Sequence, residues 1–378
     1  MNIQIASIGG QVLPVLQGIA EYPCDLVILF HTSESKTIAE NIAQTMVSDF
    51  NLVEVPEANE FFPILQSCNE IYSKHPGASW WVNASSGTKI MSLALYSYFK
   101  GQEGTRNIFH IDQNGLVHSL IREENEPLFN FLPVKTYFDY SGQKIKSMTY
   151  FDVIDEDLFE IKNTVKNFHE RNDQEFLQLN KLYSAQFSRT SHNFANFKII
   201  NPRSDSTAVW NDEKSELVLT LFRKYKDQPD IYSFYSREGI GIVFESKWFE
   251  LEIAEILAAW PKTRELVWSL IVPYKDGQDK NEIDLIVNTG TKLLFVECKI
   301  QISDIKDIDK FRNVTKNYGG LGAKSILITY SKPPVRFFEK CSDNNILLFH
   351  FREANQLVNC VKDLYLLLNQ EIIKSNTV

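Results

Sequence analysis

The sequence predicts an α/β protein built from two α/β units and an intervening stretch of different character. Three observations predict it. Strand and helix signals alternate with short breaks over residues 1–140, the pattern of a parallel Rossmann-like sheet with helices packed on it. Residues 141–235 lose that alternation and become polar and charge-rich. From residue 236 an α/β pattern resumes, now with two strands close enough to form a hairpin. A length of 378 residues fits such a division, since one domain runs to about 100–200 residues.

In the first unit Ile3–Ile8 reads as a strand, and Gly9-Gly10-Gln11 turns into an apolar stretch ending at Ala20. Asp25–Phe30 is a continuous apolar run, as in a strand covered on both faces. Thr32–Phe50 has helical spacing at Ile38, Ile42 and Met46. Strands follow at Leu52–Val55 and Trp80–Val82, with a helix near Phe61–Tyr72 between them. Met91–Phe99 is helical, and Asn107–Ile111 and Leu116–Ile121 read as strands about an Asn-Gly turn.

The middle stretch, 141–235, reads as a partly helical connector. Asp152–Leu182 has helical spacing, and Ser184–Ser206 is rich in Ser, Asn and Thr. In the last unit, 236–378, Trp248–Trp260 is a helix and Leu266–Val272 a strand. The paired strands are Glu282–Val287 and Lys292–Ile300. A helical segment, strands at Ser325–Thr329 and Ile346–Phe351, and a terminal helix complete the chain.

Composition excludes several classes. The net charge of −9 disfavours a polybasic protein, and no apolar run approaches the ~18 residues of a membrane span. The first basic residue is Lys36, which argues against a secretory signal and for a cytoplasmic protein. Five scattered cysteines make neither a disulfide framework nor a zinc knuckle, and the seven histidines lack ligand spacing. No G-x-S-x-G elbow or G-x-G-x-x-G fingerprint occurs, so nucleophilic-serine and NAD- or flavin-dependent enzymes are set aside. A metal, if used, must be held by carboxylates.

Two constellations carry chemistry. Asn83-Ala84-Ser85-Ser86-Gly87-Thr88-Lys89 follows a strand and opens a helix, where free N–H groups and the helix dipole favour an anion. Ser85, Ser86 and Thr88 offer hydroxyl donors, Gly87 admits close approach, and Lys89 adds charge. The order Gly-Thr-Lys is not a Walker loop. The alternative is that Ser85 or Ser86 caps the helix while Lys89 is solvated. Gly9-Gly10-Gln11 also ends a strand, so both loops belong to the carboxyl edge of the sheet, where such folds bind ligands.

The second constellation is Asn281-Glu282-Ile283-Asp284 with Glu297-Cys298-Lys299. A four-residue loop at 289–292 puts Asp284 opposite Glu297, and a two-residue loop makes them diagonal neighbours. Adjacent carboxylates repel unless neutralised, and a hard cation such as Mg²⁺ or Mn²⁺ is their natural partner. Asp284, Glu297 and the Cys298 carbonyl are the expected ligands. Lys299 would stabilise developing negative charge or help position the attacking water. A further carboxylate would come from Trp248–Trp260, either Glu250 or Glu252. Residues 301–340 hold eight Lys/Arg and four acids, either a nucleic-acid contact or a solvated basic face.

Ile8-Gly9-Gly10-Gln11 with Pro14, and Asn83–Lys89 followed by Ile90-Met91-Ser92-Leu93-Ala94, resemble the CARF domain, the CRISPR-associated Rossmann fold that senses cyclic oligoadenylates. Ser85-Ser86 stands where relatives often have Thr-Gly, which leaves ring size open. The carboxylate hairpin resembles the PD-(D/E)xK, or restriction-endonuclease-like, nuclease core, with Glu-Ile-Asp in place of Pro-Asp. The order of the two modules, a CARF-like unit followed by this nuclease-like core with Tyr318-Gly319-Gly320-Leu321-Gly322 leading to the Ser325–Thr329 strand, resembles the single-CARF nuclease effectors of type III CRISPR systems. The resemblance implies a homodimer in which Gly10, Gln11, Ser85, Ser86, Gly87, Thr88 and Lys89 line a pocket for cyclic tetraadenylate. It also implies cleavage of single-stranded DNA or RNA. The rival reading is a cyclic-oligonucleotide sensor that binds nucleic acid without cutting it.

Overall fold

The computed structural model describes residues 1–45, 48–55, 57–112, 114–187, 196–320, 322–351 and 357–373. Met46, Leu321 and residues 188–195 of the expected connector lie outside them. The first sheet contains β1 (Asn2–Ser7), β2 (Leu26–His31), β3 (Asp49–Glu54), β4 (Ser79–Asn83), β5 (Thr105–Ile111), β6 (Leu116–Ser119) and β7 (Asn125–Pro127). Helices α1 (Leu13–Glu21), α2 (Lys36–Thr45), α3 (Phe61–Lys74) and α4 (Lys89–Phe99) link the parallel strands. The order is β3-β2-β1-β4-β5-β6-β7, the first five parallel and the last two antiparallel. Every residue of β2 is buried, as its unbroken apolar run predicts for a strand covered on both faces.

The strand order reverses beside β1, which pairs in parallel with β2 on one side and β4 on the other. The loops after β1 and β4 therefore meet at the switch point, where a crevice opens. The helical spacing through Phe50 stops short of that residue. Asp49 to Glu54 pair with the whole of β2, and this sheet contact overrides the local pattern.

Helix α5 (Val134–Tyr140) leads out of the first sheet, and β8 (Ser147–Tyr150) joins the edge of the second. A short 3-10 turn at Phe151–Val153 is followed by α6 (Glu156–Glu170) and α7 (Gln174–Gln186), capped by Asp155 and Asp173. Then β9 (Phe197–Ile200), β10 (Thr207–Asn211), β11 (Glu216–Leu221) and β12 (Asp230–Phe234) make an antiparallel sheet ordered β12-β11-β10-β9. The sequence gives little warning of it. Each strand has only four to six residues, and buried Trp210, Leu217, Leu219 and Leu221 alternate with polar or half-buried positions.

Helices α8 (Arg237–Phe244) and α9 (Lys247–Ala258) precede β13 (Glu265–Pro273), β14 (Asp279–Asn288) and β15 (Leu293–Lys299). They are followed by α10 (Lys306–Gly319), β16 (Lys324–Thr329), α11 (Val335–Asp343), β17 (Leu347–His350) and α12 (Leu357–Ile373). The sheet runs β17-β16-β15-β14-β13-β8. One core joins Leu285, Val287, Leu294 and Val296 of the hairpin to α9 and to Leu364 and Leu368 of α12. The other joins Ile286, Leu293 and Phe295 to α10 and α11, and continues into Val15 and Leu16 of α1 and Val27 and Leu29 of β2. The two α/β units thus share a core.

The hairpin adopts the four-residue loop, since Asn288 pairs with Leu293 and Leu285 with Val296. Gly290 has φ +87°, and its N–H donates to Asn288 Oδ1 at 2.8 Å. Among the described residues no helix is long and apolar enough to cross a membrane.

Candidate functional sites

At the switch point of the first sheet the two loops touch backbone to backbone. A Cβ on Gly9 would lie 2.7 Å from Gly87 N, and one on Gly87 would lie 2.6 Å from Ser7 Oγ. Gly87 also has φ +83°, so only glycine serves there. Ser86 clips the loops together, its hydroxyl donating to Gln11 O at 2.7 Å and accepting from Gly9 N at 3.2 Å. Ser7 Oγ donates to Ser86 O. Ser85 Oγ accepts from Ile111 N at 2.9 Å, and Ser85 N donates to Asn83 Oδ1 at 3.0 Å. Thr88 caps α4, accepting from Met91 N at 3.1 Å and donating to Ala58 O at 2.7 Å. All three hydroxyls are thus engaged in building the loops.

A cavity of about 400 Å³ opens beside them, lined among others by Gly9, Gly10, Gly87 and Thr88. Gln11 and Lys89 are exposed, and neither they nor Ser85 or Ser86 belong to its lining. Thr32, Glu34, Ser35 and Asn59 also line it. In the sequence pattern Thr32 is only the first residue of the helical stretch Thr32–Phe50. The signal for the first three is the position of 32–35 just past β2, the strand that pairs with β1.

At the second site Asp284 stands where β14 and β15 cease to pair. Its Oδ2 accepts from Cys298 N at 2.8 Å, so the side chain replaces the main chain as acceptor. Lys299 Nζ meets Glu297 Oε1 at 2.6 Å. From α9 comes Glu250, whose Oε2 accepts from Trp268 Nε1 at 3.1 Å. Asp284 and Glu250 are only 8% and 9% exposed. The Cys298 thiol is buried in the core on the α9 side, and its burial raises its pKa.

The charges respond as close neighbours. Burial first, then Glu297 and Glu250, raise the Asp284 carboxyl well above the usual range. Burial and Glu282 push Glu250 up to about 7 against the pull of Lys247. Burial opposes the charge on Lys299, yet Glu297, Asp284 and Glu250 together raise its pKa. Glu252 belongs elsewhere. Its carboxylate takes Lys162 Nζ at 3.1 Å and Lys166 Nζ at 2.5 Å, both from α6. Burial works against its charge, but these lysines hold its pKa below the ordinary value. Of the two helix glutamates, Glu250 joins the hairpin carboxylates.

Buried, mutually repelling carboxylate oxygens are the donors a hard divalent cation takes, so the residues fit such an ion in kind. Among the described residues no three His, Cys, Asp or Glu side chains are already drawn together to hold one. On the basic stretch Lys306, Lys310, Arg312 and Lys316 are exposed along α10, while Ile308, Phe311, Val314 and Tyr318 face the core.

Residues 3–137 match the family model of the Card1 CARF domain. The N-terminal unit is a CARF domain of Rossmann-like fold. The whole chain is also similar to solved structures. Can2 from Sulfobacillus thermosulfidooxidans, solved in complex with cyclic tetra-adenylate, has 20% identity and a TM-score of 0.67 over 97% of this chain and 99% of that one. Protein VC1899 from Vibrio cholerae has 15% identity and a TM-score of 0.72 over 97% of each chain. A type III CRISPR defence DNA nuclease activated by cyclic oligoadenylate has 13% identity and a TM-score of 0.58, over 95% of this chain and 51% of that one. At these identities the likeness is one of fold, and it extends past the CARF domain through the second sheet. No curated protein matches the chain.

Proposed function

We propose that this chain is a type III CRISPR effector whose CARF domain senses a cyclic oligoadenylate and whose second sheet carries a metal-dependent endonuclease of PD-(D/E)xK type. The observation that carries the reading is the joining of Glu250, Asp284, Glu297 and Lys299 at the open end of one hairpin. Asp284, Glu297 and the Cys298 carbonyl would hold a Mg²⁺ or Mn²⁺ ion, with Glu250 beside them. When bound, the ion would polarise the scissile phosphate and lower the pKa of an attacking water. Lys299, kept charged by its acidic neighbours, offsets negative charge gathering on the phosphate oxygens. Cys298 N–H fixes the Asp284 carboxylate, and the Trp268 indole fixes Glu250.

The CARF cavity, with its backbone-lined Gly9, Gly10 and Gly87, suits a ligand that comes close to the main chain. Cyclic tetraadenylate, shared by two protomers about a two-fold axis, is the activator we assign to it. A homodimer follows, and single-stranded DNA or RNA is the substrate class. The deciding experiment incubates the protein with labelled RNA and DNA, Mg²⁺ or Mn²⁺, and a panel of cyclic oligoadenylates. Cleavage that needs both metal and ring supports the reading. Tight nucleic-acid binding without cleavage selects instead the non-cleaving sensor, to which the exposed cations of α10 are also suited.

A further inference from the structure

Glu282 lies two positions before Asp284, and its surroundings are unusually constrained. Its Oε1 accepts from Lys247 Nζ at 2.9 Å and from Ser269 Oγ at 2.8 Å. Ser269 has φ +52° in the middle of β13, between the pairs Trp268 with Leu285 and Leu270 with Ile283, and so stands across the sheet from Asp284. Ser246, immediately before Lys247, has φ +69°. Serine seldom adopts left-handed backbone, and such strain gathers where the surroundings hold a functional group in place. Here it occurs on both sides of one ion pair.

Lys247 reaches further. Its Nζ lies 5.9 Å from the centre of the Trp268 ring, within cation–π range, and the same indole donates to Glu250 Oε2. Its side chain is 25% exposed, so the ammonium is partly withdrawn from water. One lysine therefore touches Glu282 directly and reaches Glu250 through Trp268. Four carboxylates (Glu250, Glu282, Asp284, Glu297) and two lysines (Lys247, Lys299) leave a formal charge of −2, which one divalent cation neutralises.

We infer that Lys247 is a positioning residue of the phosphodiester-cleaving centre: anchored on Glu282 and laid against Trp268, it holds the indole N–H that orients Glu250. The inference rests on the nuclease reading above. It separates two quantities that a general loss of structure would move together. Lys247→Met removes a positive charge from among carboxylates, so Mn²⁺ should bind as tightly as in wild type or more tightly. Turnover should nevertheless fall, because Glu250 loses its orientation.

The test uses the full-length protein with activator, measuring kcat and the Mn²⁺ concentration for half-maximal activity in wild type, K247M, K247R, W268F and the K247M/W268F double variant. The expected result is a fall in kcat of at least tenfold for K247M and for W268F, with no increase in the Mn²⁺ requirement. K247R should stay within about threefold of wild type, and the double variant should be no worse than the poorer single one. Wild-type kcat in K247M overturns the inference while leaving the nuclease intact. Equal losses in K247M and K247R accompanied by equal drops in melting temperature overturn it too, as a merely structural role. If K247M does not fold, W268F decides, and unchanged kcat there is fatal. A wild-type protein that cuts nothing fells the nuclease reading and this inference together.

Discussion

Gln17 of the CARF domain donates its side-chain amide to the carbonyl of Gly290, at the tip of the β14–β15 hairpin, across 2.5 Å. Gln17 is 2% exposed and lies on α1, which begins two residues after Gln11. The arms of the hairpin carry Asp284 and Glu297. A single buried hydrogen bond thus ties the helix that follows the Gly9–Gln11 loop to the turn between the strands that carry Asp284 and Glu297.

Replacing Gln17 by leucine leaves the Gly290 carbonyl without this donor, at a cost of about 1–3 kcal/mol. Coupling of that order is worth roughly five- to a hundredfold in equilibrium terms. The expected outcome is activator binding within about threefold of wild type by calorimetry, with at least about fivefold slower cleavage at saturating activator. Wild-type cleavage by Q17L would show that the bond plays no part in signalling.

Asp284 and Glu250 are held where burial and like charges work against their ionisation. Asp284→Asn and Glu250→Gln should therefore abolish cleavage yet raise the melting temperature of the metal-free protein at pH 8. A melting temperature lowered by several degrees in both would mean that these carboxylates serve the fold.

The pH dependence has a definite sign. Burial and the charge of Glu282 push the Glu250 carboxyl from its ordinary 4.5 up to about 7, so the metal-free fold favours its neutral form. Stability from this group is complete below about 4.5 and is lost as pH rises through 7. A shift of that size corresponds to about 3 kcal/mol. In EDTA, wild type should lose stability relative to E250Q between pH 4.5 and 8, and an excess of Mn²⁺ should restore it. A difference independent of pH, read from urea melts, would contradict the assignment.

In the CARF domain, Ser86→Ala removes both the donor to Gln11 and the acceptor of Gly9. With Lys89→Ala it should weaken cyclic tetraadenylate binding by about tenfold or more, each hydrogen bond or charge contributing about 1 kcal/mol. Gly87→Ala places a Cβ against Ser7 at a positive φ and should cost binding as well as stability. Calorimetry is the readout, with one ring per two chains expected, and unchanged affinity in the double variant would remove these loops from the ligand.

Much of this arrangement was legible in residue pattern. The apolar run of β2 and the spacing of Asp284 and Glu297 specify strands through period-two alternation and hydrophobicity, which are local properties. The choice between Glu250 and Glu252 was not local. Both face inward from α9, and only Lys162 and Lys166, more than eighty residues upstream, claim Glu252. The serines of 85–86 show the same limit, because a hydroxyl at a strand-to-helix turn serves a phosphate or its own backbone equally well. Lys247 was invisible for a third reason, since nothing near it in sequence marks a lysine that reaches a strand thirty-five residues away.

The core shared by α1, β2 and the hairpin also bears on how this protein can be taken apart. Val15, Leu16, Ile286 and Phe295 pack in one continuous interior. A truncation after residue 140 would expose that interior on both fragments, so the CARF domain is not a portable module. Heating should give one melting transition for the whole chain rather than one per unit. Grafting this domain onto a foreign chain would require transplanting the apolar surface beneath it as well.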